Sequence, residues 1–329
     1  MVSKTSVGVD YHKDSLQVCV MNTEGDIKLN RRISNNVGEL ISLLGVNDSV
    51  VVAAEACNGS ASFLDEVHQK TGWQVKLCHP GYAQRMRSNP DKTDKGDSEL
   101  IADLTRIGYL PEVWLAPKEL RDLKTLVRYR ASRMTEARVV KVRIKALLRN
   151  NRIEYRSNIW TRVGLQWLEA VELPSHSAWV MRRYLCEFFR LKDEVIETTK
   201  RLHQFVKSDS FCLKLLEQKG IGIITAALMR AEIGTFTRFK NGKQLARFCG
   251  VSPCNKSSGQ TICDRGIIRA GNPILKSTIA QGVWSLIRYD SQWKSFAERL
   301  LKTGKPKSVV AGAVANRWIR KLYHSVKDL

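Results

Sequence analysis

Four carboxylates in this sequence have the residue types and the spacing of a site for divalent metal ions. Asp10 ends an apolar first strand, Glu55 ends the apolar run of residues 50–54, and Asp94 and Asp97 stand about one turn apart where a predicted helix begins. If the two strands are neighbours in one sheet, their acids meet at the same edge, and the helix closes a cage of four carboxylates. Such a cage can bind two Mg²⁺ ions about 4 Å apart, which activate an attacking oxygen and stabilise the leaving oxygen in phosphoryl transfer.

Each acid also has an ordinary structural explanation when it is taken alone. Asp10 is compatible with a turn, and Asp94 or Asp97 with the cap of a helix. Without a metal, four clustered carboxylates would repel one another and raise one another's pKa values. The ordered combination of a strand Asp, a strand Glu and the motif Lys-Thr-Asp-Lys-Gly-Asp at 92–97 therefore favours the metal site.

Two histidines border the same predicted edge. We interpret His12 as structural, because it would point away from Asp10 along an extended strand, and His79 as part of the turn that enters a helix.

The overall charge of the chain indicates a polyanionic partner. The sequence has 54 Lys and Arg against 32 Asp and Glu, a formal net charge of +22 in 329 residues. We expect nucleic acid rather than an anionic membrane, because no basic amphipathic anchor stands out. No stretch approaches the roughly 18 consecutive apolar residues of a membrane span, and the first residues lack the apolar core of a secretion signal. These features predict no membrane partner and a cytoplasmic, nucleoid-associated location.

The pattern of residues 5–110 predicts an α/β domain with a mixed sheet. Three strands separated by short polar turns should form an antiparallel meander, and two later strands that follow helical segments should add in parallel. This order is expected of a five-stranded sheet of the RNase H or RuvC type. A doubly wound nucleotide-binding sheet is the alternative, but no GxGxxG follows the first strand. The predicted strands are Ser6 to Asp10, Leu16 to Met21, Ile27 to Ile33, Ser49 to Glu55 and Gln74 to Cys78.

A long basic helix is predicted from Pro117 to about Ile153. Its apolar positions recur at helical spacing, and basic residues far outnumber acids on the remaining positions. A solvated helix face is the ordinary interpretation, but the charge asymmetry favours contact with nucleic acid. The contact residues we nominate are Arg128, Arg133, Lys141, Lys145 and Arg149. A second helix, Trp179 to Val206, should pair with the first as an antiparallel coiled coil that acts as a spacer.

The last third of the chain is predicted to be mainly helical. Residues 215–228 have the pattern of a helix-hairpin-helix element, in which Gly220 and Gly222 permit a tight turn whose backbone N–H groups meet a phosphate. An ordinary αα-hairpin is the alternative. Arg265 and Arg269, beyond a polar loop at 250–261, are positioned in sequence to clamp a phosphate, although ordinary backbone contacts explain them equally well. The predicted domains are 1–112, 113–208 and 209–329.

The motifs in this order resemble the DEDD transposases and the DNA invertases of the Piv type, the bridge-RNA-guided insertion-sequence recombinases. The match spans nearly the whole chain and weakens between about residues 153 and 210. Two departures are Tyr11-His12 after the first Asp and Cys57-Asn58 after Glu55-Ala56, and neither removes a carboxylate. The resembling motifs are Gly8-Val9-Asp10, Glu55-Ala56, Lys92-Thr93-Asp94-Lys95-Gly96-Asp97, Gly220-Ile221-Gly222, Gly250-Val251-Ser252-Pro253, Ser257-Ser258-Gly259 and Gly266-Ile267-Ile268-Arg269-Ala270-Gly271-Asn272.

The resemblance implies a RuvC-like metal domain, a helical linker and a C-terminal transposase domain with a catalytic serine just before a glycine. Ser258 corresponds to that serine, and Ser257 and Ser252 are the other candidates. The implied site is composite: Ser258 of one protomer attacks a phosphate held by the metal cage of another and forms a phosphoserine intermediate. A homo-oligomer, either a dimer or a tetramer, and a noncoding guide RNA are implied as well.

We therefore predict a bacterial or archaeal insertion-sequence recombinase that exchanges strands between donor and target DNA. It would use Mg²⁺, the four acids, Ser258 and a guide RNA. A Piv-like site-specific invertase and a RuvC-type nuclease or resolvase that uses metal and water are the alternatives within enzymes. A nucleic-acid-binding architectural protein is the alternative outside them.

Overall fold

The computed structural model describes residues 5–45, 49–83, 93–155, 157–255, 264–268 and 271–327. The chain divides into two compact units, Met1–Lys118 and Glu119–Leu329. The three-domain division at 112/113 and 208/209 stays a prediction.

The first unit is built on a six-stranded mixed sheet. Its order is β3-β2-β1-β4-β5-β6, in which β1 pairs antiparallel with β2 and parallel with β4, and β5 pairs parallel with β4. The α/β class with a mixed sheet is thus confirmed, but the count of five strands is wrong by one. β6 has only two residues, too few to show the alternation by which a strand is recognised in sequence. The strands are β1 Thr5–Tyr11, β2 Ser15–Met21, β3 Ile27–Ser34, β4 Val50–Glu55, β5 Gln74–Cys78 and β6 Glu112–Val113.

Helices cover both faces of this sheet. The helices are α1 Val37–Leu44, α2 Ser60–Thr71, α3 Pro80–Ala83 and α4 Asp94–Arg106. Val7, Val9 and Val52 point to one face, where they form a core with residues of α1 and α2. Ala53 points to the opposite face and packs with Ile101 and Leu104 of α4. Successive side chains alternate between these faces because the strand repeat is two residues.

The backbone of α4 lies directly against β1 at Gly8. A Cβ at Gly8 would lie 2.0 Å from the carbonyl oxygen of Ser98 and 2.5 Å from the backbone nitrogen of Ala102. Only glycine permits this approach, because both obstacles belong to the helix backbone and cannot rotate away. The glycine therefore fixes the distance between the start of α4 and the end of β1.

The second unit is mostly helical, as predicted for the C-terminal region. Its elements are α5 Lys118–Asn150, which begins at the boundary, α6 Arg162–Ala170, α7 Ser175–Ser208, α8 Ser210–Leu216, α9 Ile223–Ile233, α10 Gly242–Phe248, β7 Pro253–Asn255, β8 Asp264–Ile267, α11 Pro273–Tyr289, α12 Ser291–Lys302 and α13 Lys307–Val326. β7 and β8 form a separate antiparallel pair. Across the described residues, no helix is both long enough and apolar enough to span a membrane.

The long helices α5 and α7 run antiparallel to one another. Arg130 of α5 donates to Thr199 of α7 over 2.8 Å, and farther along α5 the ammonium of Lys141 lies over the ring of Phe188. Ile144 of α5 is fully buried in a core shared with Leu185 of α7. The pairing of these helices is as predicted, and the regular geometry of a coiled coil stays a prediction.

Replacing Gly8 with Ala should destabilise the first unit by about 2–3 kcal/mol, because the added methyl group forces α4 away from β1. Chemical denaturation followed by circular dichroism would measure the loss. The matched control is Gly81→Ala, whose Cβ would come no closer than 3.6 Å to the His79 ring; it should change stability by less than about 0.5 kcal/mol. Equal stability of the Gly8 variant and wild type would contradict the close contact.

Candidate metal centre and nucleic-acid contacts

The strand acids Asp10 and Glu55 end neighbouring parallel strands. Gly8 pairs with Ala53 and Val9 with Ala54. In the same register, Asp10 and Glu55 lie side by side at the carboxyl ends of β1 and β4. Each lies two residues after a position that faces α4, and alternation puts both carboxylates on that same face. The strand neighbours required by the metal-site hypothesis are therefore present.

The helix acids occupy the first turn of α4. Thr93 caps this helix, because its hydroxyl oxygen accepts a hydrogen bond of 3.1 Å from the Gly96 N–H. The positive end of the helix dipole stabilises carboxylates at this position. Asp97 is 7% exposed, whereas the Asp94 side chain is 46% exposed. One acid is thus held inside the protein and the other faces solvent.

A chain of polar contacts holds the start of α4 against the sheet. The Asn30 amide of β3 donates to the Lys95 carbonyl over 3.2 Å and accepts from the Gln17 amide over 2.7 Å. Gln17 is the register partner of Asp10 in β2. These bonds fix the first turn of α4 in register with the strand that carries Asp10.

Three side chains at this edge come together as a candidate metal centre. His12 Nε2 lies 3.2 Å from Asp10 Oδ2 and 3.4 Å from Asp94 Oδ2, and the three ligand atoms lie within 4.8 Å of one another. His12 Nε2 is buried without a hydrogen bond of proper geometry. Two carboxylates and an imidazole are a donor set that suits a divalent transition metal and, through the carboxylates, Mg²⁺. The residues present therefore fit a divalent cation.

The orientation that we expected for His12 is wrong. His12 comes two residues after Asp10, so on extended chain both side chains project to the same side. The two-residue spacing of Asp10 and His12 was therefore enough to predict that their side chains lie on the same side of the strand.

Cys78 forms part of the wall beside Glu55. It is the register partner of Glu55 in β5 and is fully buried. Burial, and secondarily the charge of Glu55, raise the pKa of the Cys78 thiol to about 12. The thiol is therefore neutral near pH 7 and contributes an apolar surface rather than a thiolate ligand.

Arg128, one of the nominated nucleic-acid contacts, binds a buried carboxylate within its own unit. Its Nε donates to Glu232 over 2.8 Å, and Lys124 Nζ lies 2.9 Å from the same carboxylate, whose side chain is 3% exposed. Burial raises the pKa of Glu232, but the hydrogen bonds from Arg128 and Lys124 outweigh it and lower the pKa. Arg128 thus stabilises an otherwise costly buried charge.

The other nominated residues of α5 fall into two groups. Arg133 lies 2.5 Å from Glu136, and the Lys141 ammonium lies 4.9 Å from the centre of the Trp160 ring, where burial lowers the pKa of Lys141. Lys145 and Arg149 are exposed. Contact of all these residues with nucleic acid stays a prediction. Among the described residues, Lys145 and Arg149 present their charges to solvent without a carboxylate or aromatic partner, whereas Arg133 and Lys141 have such partners.

The Gly220-Ile221-Gly222 segment joins α8 to α9, which is expected of a helix-hairpin-helix element and equally of an ordinary αα-hairpin. Gly220 has a φ of +85°, and a Cβ there would lie 2.7 Å from Leu286 Cγ of α11. Packing alone therefore requires this glycine. Gly222 precedes α9 as its cap residue and has open space around its Cα. A phosphate contact at this turn stays a prediction.

The candidate nucleophiles Ser257 and Ser258 lie outside the described residues, as does Arg269. In the sequence, Ser257 and Ser258 fall between β7 and β8, and Arg265 belongs to β8. Ser252 is half-buried, and its carbonyl accepts a hydrogen bond of 3.0 Å from the Ile268 N–H.

Two family models match this chain over the regions that carry these sites. Residues 7–152 match the IS110-type DEDD model described as "Transposase", and residues 212–298 match the model described as "Transposase IS116/IS110/IS902 family". The first range contains all four acids and His12, and the second contains Ser257 and Ser258.

Several curated proteins are similar to the chain. The transposase for insertion sequence element IS1328 of Yersinia enterocolitica is 26% identical over 97% of this chain and 96% of that protein. The transposase for insertion sequence element IS1111A of Coxiella burnetii is 26% identical over 86% of this chain and 78% of that protein. The putative transposase y4qE of Sinorhizobium fredii is 26% identical over 65% of this chain, and the match spans about half of that protein, 53%.

Proposed function

The chain belongs to the IS110 family of insertion-sequence transposases, which are DNA-processing enzymes, and we propose that it cuts and rejoins donor and target DNA by divalent-metal-dependent strand exchange. The observation that carries this proposal is the acidic edge of the first unit, where Asp10, His12 and Asp94 form one cluster beside the buried Asp97. A purely structural role would not require acids to be gathered on one face of a sheet in a chain of net charge +22.

We propose that Asp10, Glu55, Asp94 and Asp97 hold two Mg²⁺ ions. When bound, divalent cations neutralise charge on the phosphate and stabilise the departing oxygen. The protein positions its carboxylates before DNA arrives, because α4 is fixed by Gly8 and Asn30 and its first turn is capped by Thr93. Asp97 is held in a buried position, where the helix dipole stabilises its charge, and Asp94 remains accessible at the surface.

We propose Ser258 as the nucleophile, with Ser257 as the alternative. A bond forms between the serine Oγ and phosphorus as the bond from phosphorus to a deoxyribose oxygen breaks. The hydroxyl loses its proton, and the departing oxygen gains one. A deoxyribose hydroxyl of the exchanged strand then attacks the phosphoserine and restores the free serine. The match of residues 212–298 to the second family model supports this assignment, because it includes the segment that contains Ser258.

The remaining parts of the proposal are a composite site and a guide. Ser258 of one protomer would act on a phosphate held by the acids of another, which requires a dimer or a tetramer. A noncoding guide RNA would direct the choice of DNA, in a bacterial or archaeal cell and at the nucleoid. These elements rest on the resemblance of the motifs.

Sequencing of RNA that co-purifies with the protein tests the proposal of a guide RNA. Full activity of an RNA-free preparation would contradict it.

Replacing Ser258 with Ala separates serine-mediated exchange from hydrolysis by water. We expect the covalent protein–DNA adduct to disappear from denaturing gels and strand exchange to fall by at least about a thousandfold, because the nucleophile is lost. Ser252→Ala and Ser257→Ala test the other two candidate nucleophiles and should retain the adduct; loss of the adduct in Ser257→Ala alone would make Ser257 the nucleophile. A Ser258→Ala protein that still cuts DNA with divalent metal would indicate a RuvC-type nuclease instead.

A further inference from the structure

A basic groove crosses the C-terminal helices of the second unit. It has a volume of about 1580 Å³ and lies between α12, α13 and the β7–β8 pair. Its charged lining consists of Lys276, Arg299, Lys305, Arg317, Arg320 and Lys321, together with His324. Among the described residues that line it, none is Asp or Glu. We call this surface the basic groove.

The groove follows one face of α13. Arg317, Arg320, Lys321 and His324 are spaced three, four and seven residues apart, so they share a side of the helix along about 10 Å. α12 runs antiparallel beside it, because the Lys321 ammonium donates to the Gln292 amide oxygen over 2.8 Å and Arg317 lies over Phe296. Folding thus brings Arg299 of α12 and Lys305 of the following turn to the same surface.

No carboxylate among the described residues neutralises the charges of the basic groove. Within the described part of the chain, no salt bridge joins any of its six Lys and Arg side chains to a carboxylate. This differs from α5, where Lys124 and Arg128 bind Glu232 and Arg133 binds Glu136. A concentration of one sign of charge in a concave surface attracts counter-ions, and a fixed polyanion satisfies several of these cations at once.

The aromatic residues of the groove indicate which part of a nucleic acid it meets. Trp293 is 5% exposed and serves the core. The Phe296 ring lies under the guanidinium groups of Arg317, at 4.9 Å, and Arg299, at 5.4 Å. Neither ring is placed as an open platform for unstacked bases, which is the usual mark of single-strand binding. Among its described lining residues, the groove therefore offers cations for phosphates and no open stacking surface.

We propose that the basic groove binds the sugar–phosphate backbone of duplex DNA without reading its bases. The choice of DNA as the polyanion rests on the proposed function; the site itself rests on the charges and the geometry of the groove. Pro253 of β7 and Gly266 and Ile267 of β8 form one wall of the groove. A Cβ on Gly312 of α13 would lie 2.9 Å from Ile267, so this strand pair is packed closely on the helix that carries the cations.

The test is binding of the full chain to a fluorescent DNA duplex at several NaCl concentrations, in EDTA so that no cleavage takes part. The variant is Arg299→Gln, Lys305→Gln and Arg320→Gln together. We expect at least about a tenfold loss of affinity, and a salt slope about 2.7 smaller, because each phosphate contact contributes about 0.9. The matched control removes three exposed charges from the same helices and the C-terminal end, outside the groove: Lys294→Gln, Lys302→Gln and Lys327→Gln. It should change affinity less than about twofold.

Two results would overturn this proposal. Equal losses in the two triple variants would mean that total charge, not the groove, determines binding. If the groove variant lost affinity for duplex RNA of the same sequence but bound DNA as wild type does, the groove would be assigned to RNA. Circular dichroism of each variant confirms folding, and the charge-retaining Arg299→Lys and Arg320→Lys protein should bind as wild type. Because no metal or cleavage is involved, failure here leaves the metal-dependent function untouched, and the reverse also holds.

The Nε2 atom of His12, which is buried although the rest of the side chain is partly exposed, carries a second, independent inference. Ligands about 2.1 Å from one cation and at right angles to each other are about 3.0 Å apart. His12 Nε2 lies 3.2 Å from Asp10 Oδ2 and 3.4 Å from Asp94 Oδ2, close to that spacing, and forms no hydrogen bond of its own. The geometry points to His12 as a nitrogen ligand at the metal centre. An imidazole ligand would make the centre prefer Mn²⁺ to Mg²⁺, because imidazole binds transition metals better.

Metal binding without DNA tests this assignment, which rests on the proposed metal centre. We expect His12→Ala to weaken Mn²⁺ binding, followed by electron paramagnetic resonance, by about tenfold or more, and Mg²⁺ binding, followed by calorimetry, by less than about threefold. Lys13→Ala is the adjacent exposed control and should alter neither. Unchanged Mn²⁺ affinity in His12→Ala would contradict the assignment of His12 alone. Absence of metal binding in wild type would contradict the metal centre itself.

Discussion

The contact between the backbones of α4 and β1 at Gly8 is the constraint on which the acidic edge depends. Asp10 and Glu55 would lie on neighbouring strands in many α/β sheets, because parallel strands end at a common edge. Asp94 and Asp97 reach that edge only because α4 packs with its backbone 2.0–2.5 Å from where a Cβ of Gly8 would be. A side chain at this position would lift the helix and separate its acids from those of the strands.

The same packing creates an electrostatic cost that a bound cation would lower. Carboxylates brought close together repel, and a buried one such as Asp97 also loses hydration. The cap by Thr93 and the dipole of α4 offset part of this cost. A divalent ion would offset more, which agrees with the proposed metal centre. The second unit shows the opposite arrangement, since the described residues that line the basic groove include cations and no acids, which makes this surface complementary to phosphate. The proposed division of work follows: one unit supplies metal-binding acids and the other supplies a cationic surface for DNA.

Much of this arrangement could be predicted from the sequence, because it depends on local patterns. The apolar runs that become β1 and β4 and the helical pattern that begins near Asp94 are local signals, and they predicted the strands and the start of α4. The side of the sheet on which His12 lies was available from its spacing to Asp10 but was misjudged. β6 could not be recognised, because two residues are too few to show the alternation of apolar and polar side chains that marks a strand. The partners of Arg128 and Lys141 could not be foreseen either, since Glu232 and Phe188 are distant in sequence. The basic groove was missed because its residues come from three helices and their connections, and no single stretch of them stands out in charge.

The most direct test of the metal-centre account compares DNA cleavage by wild type and Asp97→Asn on DNA that carries the element's own ends. Cleavage by wild type should require Mg²⁺ or Mn²⁺ and stop in excess EDTA. Asp97→Asn should remain folded yet lose at least about a thousandfold in rate, because a proposed metal ligand is replaced by a neutral amide. Glu99→Gln, the same charge change at an exposed position of α4, should cut like wild type. Cleavage that persists in EDTA, or an Asp97→Asn protein as active as the Glu99→Gln control, would contradict the account.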